Sequence, residues 1–338
     1  MRTTSRSVLP RWTRGFRTVA KSSQWPGTAS FCVGTRSNIW TKATRTWSIE
    51  NDNGCQHALS VNQHRGLATQ SARPSVTSEV KAHGPGNHIA TIVVSNPSKL
   101  NIVNSAILDE LVARCQELSQ DHSLRAVVLT GGDTASGKAP SFIGGADITE
   151  MHSLRSPDEA RAFITRIHLA CKALRDIPVP VIARINGFAL GAGLEIMAAC
   201  DLRIATEASV FGMPEVKIGI PSVVEAALLP GLIGMGRTRR LLYLAENIKA
   251  REAERWGLVE KVVKDEMELE QSVDDWVARI AEMGPKAIRD QKRLMQTWEN
   301  VSTDDGIMAG VDAFADAFED GGIEPHEMMS KFVNRKRT

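Results

Sequence analysis

From Ile89 onward the apolar residues fall into two alternating patterns. Short runs rich in β-branched side chains predict strands at residues 89–95, 126–130, 181–185, 202–205, 209–211 and 258–263. Apolar positions three and four apart predict helices at 105–120, 157–174, 192–199, 223–232 and 250–256. Strands that keep alternating with helices indicate an α/β fold. Beyond Met267 the spacing is helical throughout, interrupted at Gly284 and Pro285, and residues 304–319 form an amphipathic stretch. Three segments follow from these patterns: a leader and linker at 1–74, an α/β core at 75–266, and a helical region at 267–338.

Residues 181–219 hold the chemistry. A buried β-branched strand ends at Asn186 and Gly187, and a helix starting near Gly191 is apolar on every face except at Glu195. An ionisable group in such a segment is costly unless it has a partner or a task. A second carboxylate, Glu215, follows in the next turn. The start of a helix leaves backbone N–H groups unpaired, so the amide of Ala192 is free to receive an oxygen that gains charge during reaction. A second glycine turn, Ser141-Phe142-Ile143-Gly144-Gly145-Ala146-Asp147, lies upstream. Its glycines allow close approach of a ligand to the backbone and leave the amide of Ala146 unobstructed.

Composition narrows the class. The chain has 338 residues, is 42% hydrophobic and carries a net charge of +2, which suits a protein with a full core. The charge is unevenly spread. Residues 1–74 hold eleven basic residues against only Glu50 and Asp52, whereas the remainder is net acidic, which argues against a nucleic-acid partner for the folded part. The Arg-, Ser- and Thr-rich leader, acid-free before Glu50, reads as a mitochondrial transit peptide processed near residues 65–68, placing the mature chain in the matrix. No apolar run is long enough to span a bilayer, so membrane insertion is not expected. Cys32, Cys55, Cys115, Cys171 and Cys200 contain no Cys-x-x-Cys pair and read as reduced thiols. His88, His122, His152 and His168 lack ligand spacing, so no metal is expected.

Residues 142–148, 186–205 and 211–219 resemble the signature segments of the crotonase superfamily, the enoyl-CoA hydratase and isomerase family. The similarity runs from Ile89 to the carboxyl terminus, and includes residues 89–104 and the 236–263 stretch with Ala253, Trp256, Gly257, Leu258 and Val259. The resemblance implies a spiral of ββα units followed by a C-terminal helical oligomerisation region, assembling as a homotrimer or homohexamer. It implies that the amides of Ala146 and Ala192 hold a thioester carbonyl, that Glu195 acts on water, and that Glu215 handles the α-proton. Ile143, Gly144, Gly145, Asp147, Ile148, Gly191 and Ser222 would border the substrate. Lys99, Leu100 and Asn101 would lie at the adenine end of CoA, with Lys99 near a phosphate. Phe332, Arg335 and Lys336 resemble a tail that reaches CoA from a neighbouring subunit. The substrate is then an acyl-CoA thioester, with no cofactor beyond the CoA it carries.

The sequence departs from this family pattern after Pro221. Where a glycine-rich loop is usual, Ser222-Val223-Val224-Glu225 precedes an apolar run. Ser222 and Glu225 have capping-box spacing, which predicts that they start a helix. Ser222 also stands where an amide or hydroxyl would help hold water. The expected activity is hydration of a trans-2-enoyl-CoA, with an enoyl-CoA isomerase and a catalytically silent acyl-CoA-binding subunit as alternatives. Retention of both glutamates favours chemistry over silence.

Overall fold

A computed structural model describes residues 73–334; the basic leader, Arg335 and Lys336 lie outside the described residues. The chain enters through an antiparallel hairpin, β1 (Ser75–Ala82) and β2 (His88–Ser95). Helix α1 (Ser105–Ser119), capped by the Asn104 side chain accepting from the Ile107 amide, returns the chain to β3 (Leu124–Gly131), parallel to β2. All but the last residue of β3 are buried, because a central parallel strand is covered on both faces.

From β3 onward one unit repeats. The short β4 (Ser141–Ile143) leads into α2 (Ile148–Ser153) and α3 (Pro157–Asp176). Then β5 (Val181–Ile185) and β6 (Phe188–Leu190) lead into α4 (Ala192–Ala198), and β7 (Leu202–Thr206) and β8 (Val210–Gly212) follow. The first strand of each pair joins one sheet and the second joins another. With α5 (Leu229–Leu244), β9 (Asn247–Lys249), α6 (Ala250–Trp256) and β10 (Lys261–Val263), the sheets have the orders β1-β2-β3-β5-β7-β10 and β4-β6-β8-β9. This is the expected spiral of ββα units. Helices α7 (Glu266–Glu282), α8 (Pro285–Trp298), α9 (Thr303–Asp316) and α10 (Ile323–Val333) complete the chain.

The larger sheet is covered on both faces. On one, Ile92 and Leu129 pack in a cluster with Leu111 of α1, Ile167 and Leu174 of α3 and Ile196 of α4. On the other, Ala126, Val128, Ile182 and Ile204 meet Leu269, Val273 and Val277 of α7. Each such aliphatic side chain contributes about 1.5–3 kcal/mol on full burial, so the sheet is a rigid platform for the loops at its strand ends.

Two sequence expectations are corrected here. The helix expected at 223–232 is a 3-10 turn at Val224–Leu228 without a side-chain cap, and α5 begins only at Leu229. Val224 has φ 39°, a left-handed conformation that a helix cannot pass through, while Pro230 suits a first helical turn where its missing N–H costs nothing. Ser222 and Glu225 therefore form no capping box. The strand expected at 258–263 is confined to Lys261–Val263, with Leu258 and Val259 buried ahead of it.

Candidate active site

Glu195 sits in the first turn of α4, and only 4% of it is exposed. Its Oε1 accepts a hydrogen bond of 3.2 Å from the Ala226 amide. Burial, then the nearby charge of Glu215, pushes its carboxyl up to about 8; the Ala226 amide pulls the other way and Glu225 adds a further push. A side chain that is nearly always charged in water is thus held close to neutrality.

Two amide-bearing turns meet beside it. Gly193 of α4 packs so tightly on β4 that a Cβ would come within 2.0 Å of the Ile143 carbonyl oxygen. Ahead of it, Gly191 adopts φ 51° and ψ −123°, and a Cβ there would lie 2.7 Å from Oε1 of Glu215. Ala192 follows as the first residue of α4, so its N–H has no intrahelical acceptor. On the opposing turn, Val103 donates to the Gly145 carbonyl at 2.9 Å, and Asp147 donates to the Val103 carbonyl at 2.8 Å. In that parallel bridge the N–H of Ala146 points away from Val103, and Ala146 is one of the residues that border the cavity.

Glu215 opens a 3-10 turn, Glu215–Ile218, and is half-buried. Its Oε2 accepts from the Ser222 hydroxyl at 2.8 Å. Both glutamates border a cavity of about 120 Å³ together with Gly144, Gly145, Ala146, Gly191 and Ala192. Its remaining walls are apolar, supplied by Ile148, Met151, Ile164, Ile167, Leu190, Pro214, Ile218, Ile220, Pro221 and Val223. Of these, Ile148, Ile218, Ile220 and Val223 are exposed and form the rim. A greasy cavity bordered by two carboxyls and by the backbone of two glycine turns fits an apolar chain attached to a polarisable carbonyl.

The enoyl-CoA hydratase/isomerase family matches residues 84–338. The chain belongs to that family. It is 34% identical over 250 residues to a short-chain-enoyl-CoA hydratase of Clostridium acetobutylicum, covering 74% of this chain and 92% of the relative. A protein of Dictyostelium discoideum named a probable mitochondrial enoyl-CoA hydratase is 30% identical over 249 residues, 73% of this chain and 86% of its own length. The crystal structure of an enoyl-CoA hydratase from Bacillus anthracis superposes with a TM-score of 0.64 at 31% identity, covering 70% of this chain and 89% of that one.

Eight of the site residues expected from the resemblance border the cavity, Gly144, Gly145, Ala146, Ile148, Gly191, Ala192, Glu195 and Glu215, and the others lie elsewhere or have other partners. Ile143 is wholly buried behind the wall. Asp147 caps α2 by accepting from the Thr149 amide and pairs with Lys99 at 2.9 Å. Burial pushes its carboxyl up, but the Lys99 and Thr149 bonds outweigh that and hold it below the usual range. Lys99 is half-exposed and already shares its charge with Asp147. Asn101 is buried in a left-handed turn after Leu100, and its amide group binds the Asn96 N–H and the Gly132 and Ser141 carbonyls. Its side chain is a brace for the loop that pairs with 144–147, not a ligand. Phe332 lies on α10 with 71% of its surface exposed and does not border the cavity, and Arg335 falls outside the described residues.

Sequence reasoning missed the α3 wall, Ile164 and Ile167, although their spacing on an amphipathic helix next to the glycine turn was the available signal. It also assigned Glu225 to a cap. The structure buries Glu225 to 7% exposure and gives its Oε1 to Nδ1 of His168 at 2.8 Å.

Proposed function

We propose that this protein is an enoyl-CoA hydratase, adding water to a trans-2-enoyl-CoA to give a 3-hydroxyacyl-CoA. The observation that carries the reading is the convergence of Glu195, Glu215 and the amides of Ala146 and Ala192 on one apolar cavity. The thioester oxygen accepts from the two amides, which draws electron density from C3 and stabilises the enolate as the water oxygen adds there. One amide donor of this kind is worth about 10²- to 10³-fold in rate. The water gives a proton to one carboxylate, and C2 takes a proton from the other carboxyl, so the pair needs one proton and one charge. Burial by itself favours that proton on Glu195. With Glu195 acting on water and Glu215 on the α-carbon, the proton stands on Glu215 once substrate is bound; the two titrate as one unit.

Glu195→Gln and Glu215→Gln keep volume and remove the proton-transfer group. Each is expected to lower turnover about 10²- to 10⁴-fold while acyl-CoA binding stays within severalfold, measured by steady-state kinetics and calorimetry. Near-normal turnover in either variant would reject the paired mechanism.

We further propose a mitochondrial location and a homotrimer or its dimer. The acid-poor leader supports the first, as does a relative named mitochondrial. For the second, α9 and α10 present Ile307, Met308, Val311, Phe314, Phe332 and Val333 to solvent, a patch that calls for a partner surface. A fusion of residues 1–72 to a reporter is expected to enter mitochondria, and a chain from Ser75 to remain outside yet scatter light as a multiple of three. Cytosolic fusion protein, or a monomeric mass, counts against the respective proposal.

A further inference from the structure

Near Glu195, outside the cavity lining, lies a second ionisable pair that the hydration chemistry does not use. Glu225 is buried, one of its oxygens bonded to His168 on α3 and the other, Oε2, buried without a hydrogen-bond partner. An unpartnered buried carboxylate oxygen is costly, and a native fold retains one where the charge has a use. The next residue is Ala226, whose N–H is the bond donor to Glu195. The residue before is Val224, β-branched and left-handed at φ 39°. Strain of that kind persists only where surrounding contacts hold it, and here it turns Glu225 inward and aims the Ala226 amide at Glu195.

We propose that His168 and Glu225 are a positioning pair for Glu195: their bond clamps the strained turn that presents the Ala226 amide, and Glu225 sets the charge that Glu195 meets from outside the cavity. The proposal rests on the reading of Glu195 as a proton-transfer group. The pair touches no substrate. His168 is half-exposed on the outer side of α3, so the clamp is anchored from the surface while its carboxylate is kept from water. The titratable groups facing Glu195 are Glu215 from the turn after β8, Glu225 from the turn before α5 and Cys171 from α3, with His168 of α3 joined by way of Glu225. Strands β4 and β6, which also flank α4, carry no titratable residue. Cys171 stays a neutral thiol, pushed well above its usual range by burial and then by Glu225. The negative field on Glu195 therefore comes from two carboxylates, one in the cavity and one outside it.

The test uses the protein and crotonyl-CoA. Glu225→Gln keeps volume and the bond to His168 but removes charge; the Glu195-dependent ionisation in the pH profile of kcat/KM is expected to move to lower pH by about half a unit or more, with KM within twofold. A profile that coincides with the wild type overturns the electrostatic role. His168→Leu removes the donor from the clamp and is expected to lower kcat at least tenfold at unchanged KM, whereas His168→Gln, which can still donate, restores kcat to within about threefold. Wild-type kcat in His168→Leu, or equal losses in both variants, overturns the clamp. If the leucine variant fails to fold, the Glu225→Gln profile still decides. Glu195→Gln run in parallel separates the two claims: an active Glu195→Gln enzyme defeats the hydratase reading, while an inactive one beside an unshifted Glu225→Gln profile defeats the pair alone.

Discussion

At the scale of the residue, the site is built around a carboxyl that the fold keeps from ionising. Unfolded, Glu195 titrates near its usual 4.5; folded, near 8. A raised folded-state value means that the native state binds the proton more tightly, so its stabilising contribution is full below 4.5 and is lost as pH rises through 8. Denaturant unfolding of wild type is therefore expected to show stability falling between pH 5 and pH 8.5 more steeply than Glu195→Gln does, the variant being the more stable of the two at the alkaline end. Parallel profiles would show that Glu195 is ionised in the fold from low pH. The two glutamates themselves were legible in the sequence, because a carboxylate in an all-apolar helix is conspicuous and the flanking motifs matched a family. Glu225 was not. Its spacing from Ser222 matched a cap, and only the left-handed backbone at Val224, a tertiary outcome with no local sequence mark, shows why a cap does not form there.

At the scale of the element, the segment from Pro221 to Leu228 replaces a glycine loop with a short, strained turn that ties both cavity carboxyls to one stretch of chain. Ser222 holds Glu215, and Ala226 holds Glu195. Ser222→Ala therefore removes a hydrogen bond to a carboxylate, an interaction of about 1.5–3 kcal/mol, and is expected to cut kcat roughly ten- to a hundredfold, assayed at a temperature where the variant is fully folded. A lowered melting temperature with intact kcat would return Ser222 to a capping role. The strong elements were visible from pattern alone: β5 and β7 through their β-branched runs, and α3 through its apolar spacing from Pro157, where the helix starts as expected with the Ser156 side chain accepting from the Glu159 amide. The strands of the smaller sheet were less so. β4, β6 and β9 are three residues each, too short to display a period of two, and β1 is an edge strand with most of its residues outside the core.

At the scale of the whole molecule, the spiral explains why one loop set can carry the chemistry. Each turn adds one strand to the large sheet and one to the small, and the tight packing of Gly193 on Ile143 brings successive turns close together beside the cavity. Periodicity indicated α/β, but the division of alternate strands between two sheets is a long-range property that reached the sequence reading only through the family resemblance. The central claim is that this assembly adds water to a carbon–carbon double bond. The direct measurement is to incubate the protein with crotonyl-CoA in ¹⁸O-labelled water and analyse the product by mass spectrometry. The expected product is a 3-hydroxyacyl-CoA with ¹⁸O on C3, formed at a rate that falls about 10²- to 10⁴-fold in Glu195→Gln. Unchanged crotonyl-CoA, or a shifted double bond without label, would contradict it.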